Sequence, residues 1–121
     1  MIRFACLFAL CATAVNAQSA KLNSPEISAL LTGNTAVGKW GGTPYRQYFG
    51  TDGKTIVAQP QVPSVHGQWR VEDDELQSRR TGDTVWEGWF VMEYAGVWYW
   101  VSKTTPPTSF EVVQGEHLTQ E

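Results

Sequence analysis

The sequence predicts an all-β domain: a small antiparallel up-and-down β-barrel of about eight strands, preceded by a short N-terminal helix. Three observations lead there. Short runs of strand-forming residues recur between residues 34 and 115, divided by turns rich in glycine, proline and aspartate. Most of the joints are too short for anything but antiparallel neighbours. Eight strands also suffice to close a sheet on itself, which removes the exposed edges an open sheet would carry. A two-sheet sandwich is the nearest competitor.

The first 17 residues stand apart from this pattern. Arg3 is a lone positive charge, residues 4–15 are apolar, and Val15-Asn16-Ala17 resembles a leader cleavage site. This layout predicts a signal peptide over 1–17 and a single domain over 18–121, periplasmic or secreted. Cys11 follows Leu10 and Cys6 lies early in the apolar run, so neither suits lipidation. Both cysteines leave with the leader, and the mature chain must hold together without disulfides or thiol chemistry. No other stretch is long enough to span a bilayer, so stable membrane insertion is not expected. Nine basic residues fall to eight without Arg3, against twelve acidic ones, a formal net charge of −4. Such a domain has no electrostatic reason to bind nucleic acid. Of fifteen aromatic rings only Phe4 and Phe8 are lost, so a core without cross-links is feasible.

Residues 18–24 read as an extended lead. PEISALL, 25–31, fits one or two helical turns, with Ser24 as N-cap, Pro25 in the first turn and Glu26 near the positive helix end. Gly33-Asn34 stops it. NTAVGKW (34–40) then runs to Gly41-Gly42, and TPYRQYFG (43–50) to an Asp52-Gly53 hairpin signal, with KTIVAQ (54–59) returning. PQVPS (60–64) is a loop. In VHGQWRV (65–71), Val65, Gly67, Trp69 and Val71 share one face, and His66, Gln68 and Arg70 the other. A turn with Asp73-Asp74 at its tip pairs Val71 with Leu76 and Arg70 with Gln77. LQSRRT (76–81) leads to a Gly82-Asp83 turn, two strands follow with a break at Ala95-Gly96, TTPPTS (104–109) is a loop and SFEVVQG (109–115) the last strand.

The segment VWEGWFVMEYAGVWYWVSK, residues 85–103, holds four of the six tryptophans. A two-residue turn at Ala95-Gly96 puts Trp86, Phe90, Met92, Tyr94, Val97, Tyr99 and Val101 on one wholly apolar or aromatic face. The other face then carries Glu87, Trp89, Val91, Glu93, Trp98 and Trp100. A three-residue turn moves Trp98 and Trp100 inward instead, since one residue of slip flips every side chain. In both registers Trp89 lies between two glutamates, which suggests an outward surface, either an ordinary sheet exterior or a recognition patch. Inner rings either fill the barrel or line a ligand cavity.

No catalytic constellation is expected. His66 falls on a polar strand face and His117 in the tail GEHLTQE, and neither a nucleophile elbow nor a zinc-protease motif occurs. Six strand residues separate Glu87 from Glu93 by about 20 Å, too far for a glycosidase pair, which needs roughly 5 to 9.5 Å. The EDDE cluster, 72–75, lacks the alternating donors of a calcium loop. Neither a metal site nor a cofactor is predicted, and the glycines form no phosphate-binding fingerprint.

Two resemblances follow. Leu31-Thr32-Gly33-Asn34-Thr35, Pro44-Tyr45-Arg46-Gln47-Tyr48-Phe49, Asp52-Gly53 and Gly67-Gln68-Trp69-Arg70-Val71 look like a family of small exported bacterial domains of unknown function. Members often carry a Cys-Ser pair where this chain has Gln77-Ser78. A short helix followed by Gly38-Lys39-Trp40 is similar to the start of lipocalin-like calycin barrels, in which the tryptophan plugs the closed end. Bacterial calycin-type protease inhibitors, which insert an ordered N-terminal segment into their target, are also similar in size and export. The resemblances imply a non-enzymatic binding domain for a small apolar ligand or a cell-envelope protein partner. A ligand would sit among Trp40, Trp69, Phe90 and Met92. A partner would meet Trp89 or the N-terminal lead.

Overall fold

A computed structural model describes residues 19–119; the expected signal peptide, 1–17, lies outside the described residues. Nine strands and one helix follow in chain order: β1 Ala20–Lys21, α1 Ser24–Leu31, β2 Asn34–Trp40, β3 Thr43–Phe49, β4 Lys54–Ala58, β5 Val65–Glu72, β6 Glu75–Arg80, β7 Glu87–Tyr94, β8 Val97–Val101 and β9 Thr108–Gln114. Strands β2 to β9 pair antiparallel in sequence order, and β9 returns to β2, closing an eight-stranded barrel. The extra strand β1 pairs with the far half of β7, Ala20 opposite Glu93 and Lys21 opposite Met92, beyond the point where β6 has left that edge. The expected architecture holds, with one strand more.

Three two-residue turns set the register. Their closing pairs are Trp40–Thr43, Glu72–Glu75 and Tyr94–Val97. Each turn places both central residues at positive φ: Gly41 and Gly42, Asp73 and Asp74, Ala95 and Gly96. That is the backbone whose twist matches paired strands, and glycine and aspartate reach it most readily. Val71 pairs with Leu76 and Arg70 with Gln77, as the alternation of VHGQWRV required.

Helix α1 closes one end. Asn23, rather than Ser24, is its N-cap: Asn23 Oδ1 accepts from the Glu26 N–H (3.0 Å), and Glu26 accepts in return from the Asn23 N–H (2.9 Å). Ser24 has a different task. Its N–H and hydroxyl donate to Asp74 Oδ1 at 2.7 and 3.0 Å, tying the helix start to the β5–β6 turn. Ile27 and Leu31, four residues apart on one helix face, are fully buried beneath the barrel. Above them the lower barrel is filled by rings. Phe49 meets Trp69 edge-on at 5.3 Å, and Trp100 stacks on Phe110 at 4.0 Å. Such pairs contribute about 0.5–1.5 kcal/mol each beyond burial.

The 85–103 hairpin adopts the two-residue turn, but its faces are the reverse of the apolar-inside expectation. Val91 pairs with Trp100 and Glu93 with Trp98, and Val91 and Trp100 are core residues. The inner face is therefore the one with Glu87, Trp89, Val91, Glu93, Trp98 and Trp100. Phe90, Met92, Tyr94, Val97, Tyr99 and Val101 face outward.

Candidate functional site: the open end of the barrel

Opposite the helix, the barrel holds a cavity of about 790 Å³. The β2–β3 turn and the β4–β5, β6–β7 and β8–β9 connections surround its mouth. The barrel is thus filled in its lower half and open in its upper half, because large inner side chains are concentrated near the helix. Phe49, Trp69 and Phe110 lie under the floor, whereas the upper inner positions of β4 and β5 carry Val57, Val65 and Gly67. Gly67 is compulsory there: a methyl group on it would collide with the Arg79 carbonyl of the paired strand.

The floor is made by Gln47, Thr55, Leu76, Trp89 and Trp100. Trp100 is fixed by its stack on Phe110 and by its indole N–H, which donates to the Tyr45 hydroxyl at 2.8 Å. Tyr45 is fully buried, its hydroxyl pushed up to about 12 by desolvation, against the opposing influence of the Trp100 hydrogen bond. Trp40 stacks flat on Tyr45 at 3.7 Å and is 41% exposed at the rim. Arg80, Asp83 and Glu87 add charge of both signs at the mouth.

Of the residues expected to hold a ligand, only Trp40 lines this cavity. It stands at the open end, opposite to the plug position that the calycin resemblance implied. Trp69 points inward but lies in the filled base, where its indole N–H donates to the Gly50 carbonyl at 2.9 Å. Phe90 and Met92 are on the outer surface, and the Lys21 ammonium sits 4.4 Å from the Phe90 ring centroid. Trp89, expected outside, forms part of the cavity wall. The N-terminal lead is held over part of its length: the Leu22 N–H donates to the Val91 carbonyl at 2.9 Å, and Leu22 is buried.

Gln47, Leu76 and Trp100 were not singled out from the sequence. A signal existed in TPYRQYF, where Gln47 alternates with Tyr45 and Phe49 and so shares their buried face. Elsewhere, Trp86 lies outside the barrel against two guanidinium groups, its ring centroid 4.1 Å from that of Arg70 and 4.4 Å from that of Arg79. These two cation–π contacts anchor the β6–β7 connection to the outer face of β5 and β6. Among the described residues no group of three or more histidines, cysteines or carboxylates is placed to hold a metal ion, and no helix is long and apolar enough to cross a membrane. No protein-family model, curated protein or solved structure matches this chain.

Proposed function

We propose that the protein is an exported, non-enzymatic binding domain that holds one small, mainly apolar molecule in the open end of its barrel. The observation that carries this is the cavity itself. About 790 Å³, walled by Trp40, Trp89, Trp100 and Leu76 and open on one side, is the size and character of a small-molecule site. The closed end leaves one way in. The resemblance to lipocalin-like barrels drawn from the sequence suggests this use of a barrel, and the bacterial, periplasmic setting comes with the same sequence resemblances.

The test uses N-phenyl-1-naphthylamine, a neutral apolar fluorophore, titrated into the protein spanning residues 18–121. Saturable one-to-one quenching of tryptophan emission is expected, with a stability gain of about 2.7 kcal/mol at a hundred times Kd. Val57→Trp, which fills the cavity from the inner face of β4, should abolish both. Absence of saturable binding by the folded protein rejects the proposal.

A second use, as a protein-interaction module, draws on the outer face of β7 and β8. Tyr94 and Val97 pair there and are 47% and 38% exposed. This patch, rather than Trp89, is the surface such a partner would meet.

A further inference from the structure

We infer that the cavity selects ligands that lead with a hydrogen-bond donor, a hydroxyl or N–H on a flat apolar body, and that Gln47 is the residue that selects them. This rests on the cavity being a ligand site. Gln47 is only 7% exposed, projects inward from β3 and forms part of the floor. Its amide orientation follows from its neighbour. The Thr55 hydroxyl has one hydrogen, and that hydrogen is donated to the Tyr48 carbonyl at 2.8 Å. Thr55 Oγ1 can therefore only accept from Gln47, and Gln47 Nε2 donates to it at 3.0 Å. The Gln47 carbonyl oxygen is thereby turned away from Thr55. No donor among the described residues reaches it, and it is not among the sealed, unpartnered atoms, of which Arg46 Nε is the one found. It opens into the cavity as a fixed acceptor.

The surroundings add selectivity. The indole N–H of Trp100 is already committed to Tyr45, Leu76 is apolar, and Trp89, the remaining ring of the floor, carries a donor but no acceptor, so none of the three offers a ligand donor a second partner. A ligand that displaces water from the floor without bringing a donor leaves the Gln47 oxygen desolvated and unpaired, which is the costly outcome for a buried polar group. A hydroxyl or N–H pairs with it. A pure hydrocarbon, or an ether of the same shape, does not.

The probes are 2-naphthol and 2-methoxynaphthalene, which share one flat body and differ in the donor, with naphthalene as the smaller donor-free control. Binding to the folded protein spanning residues 18–121 is measured by calorimetry at pH 7. We expect 2-naphthol to bind at least tenfold tighter than either other probe. Gln47→Leu should bring 2-naphthol down to their level while leaving 2-methoxynaphthalene within about twofold. Thr55→Val removes the hydroxyl that fixes the amide and should narrow the preference with Gln47 still present, which decides the matter if Gln47→Leu does not fold. Equal binding of the three probes to the unaltered protein, or a preference that survives both substitutions, overturns the inference and leaves the cavity reading standing. If none of the probes binds, the cavity reading falls, and the inference with it.

Discussion

Tyr45→Phe removes one oxygen from the middle of the barrel, and its consequences can be worked out from two neighbours. The Tyr45 hydroxyl accepts the Trp100 indole N–H at 2.8 Å, and both side chains are buried. Deleting the acceptor strands a buried donor, which costs about 1–3 kcal/mol. In a domain of roughly a hundred residues, 2 kcal/mol corresponds to a fall in Tm of about 8–16 °C. The alkaline limb gives a second, independent readout. Burial holds the Tyr45 hydroxyl protonated up to about 12, from an ordinary value of 10.0. A raised folded-state pKa contributes stability that is complete below pH 10 and is lost as pH rises towards 12, because the unfolded chain releases its proton first. Two pH units of difference correspond to about 2.7 kcal/mol, and that component vanishes with the hydroxyl. Urea unfolding followed by circular dichroism at pH 7, and at steps from pH 9 to 11.5, measures both. Trp100→Phe and the double variant complete a cycle in which the double variant should lose less stability than the two single variants together. A Tyr45→Phe protein within 0.5 kcal/mol of the parent at pH 7, with an unaltered alkaline decline, refutes this account of the buried pair.

Other consequences follow from single contacts. Asn23→Ala breaks the capping box of α1 and should lower the urea-derived stability by about 1 kcal/mol. Asp74 accepts both the N–H and the hydroxyl of Ser24, which holds its carboxyl below the usual 3.8; the stability it contributes is present above that value and lost as pH falls through the lower folded-state one. The drop in Tm between pH 7 and pH 3 should accordingly be smaller in Asp74→Ala than in the parent. Gly67→Ala drives a methyl group into the Arg79 carbonyl across the β5–β6 pair, and calorimetry should find a Tm lowered by more than 10 °C or no cooperative transition.

Much of the fold was legible because its information is local. Turn residues marked three tight hairpins, and the alternation Val65, Gly67, Trp69, Val71 set the inner face of β5 and, through the Val71–Leu76 pair, that of β6. The helix was legible from Pro25 and Glu26, although the cap fell to Asn23 because Ser24 is drawn to Asp74, fifty residues away; that the helix closes the barrel through Ile27 and Leu31 was not read from the sequence. The cavity was less legible. Whether inner rings fill a barrel or leave room depends on the height at which each stands. Height follows from the stagger of eight strands around a closed sheet, not from any one of them. Trp69 and Trp89 both face inward, yet one is bonded to the Gly50 carbonyl in the base and the other stands in the cavity wall.

The reversed faces of the β7–β8 hairpin show where apolarity alone misleads. Ranked by composition, the face with Phe90, Met92, Tyr94, Val97, Tyr99 and Val101 should be inside, and the face bearing two glutamates outside. A barrel's inner face is dry only in its middle, however. Glu87 and Glu93 stand on that face at opposite ends of β7, Glu87 at the mouth and Glu93 beside β1, while Trp89 and Val91 occupy the layer between. Charges at the two ends of a strand are thus compatible with an inner face; charges at its centre would not be. Trp89 is packed against the core but open to the cavity, so Trp89→Ala should cost about 2 kcal/mol, below the roughly 3–5 kcal/mol of a fully buried tryptophan. Tyr94→Ala, on the outer face, should stay within about 0.5 kcal/mol. The same two variants separate the faces by function, since Trp89→Ala should weaken N-phenyl-1-naphthylamine binding at least tenfold and Tyr94→Ala should leave it unchanged. The opposite pattern in both stability and binding would mean that the glutamates, not the buried layer between them, mark the outside of this strand.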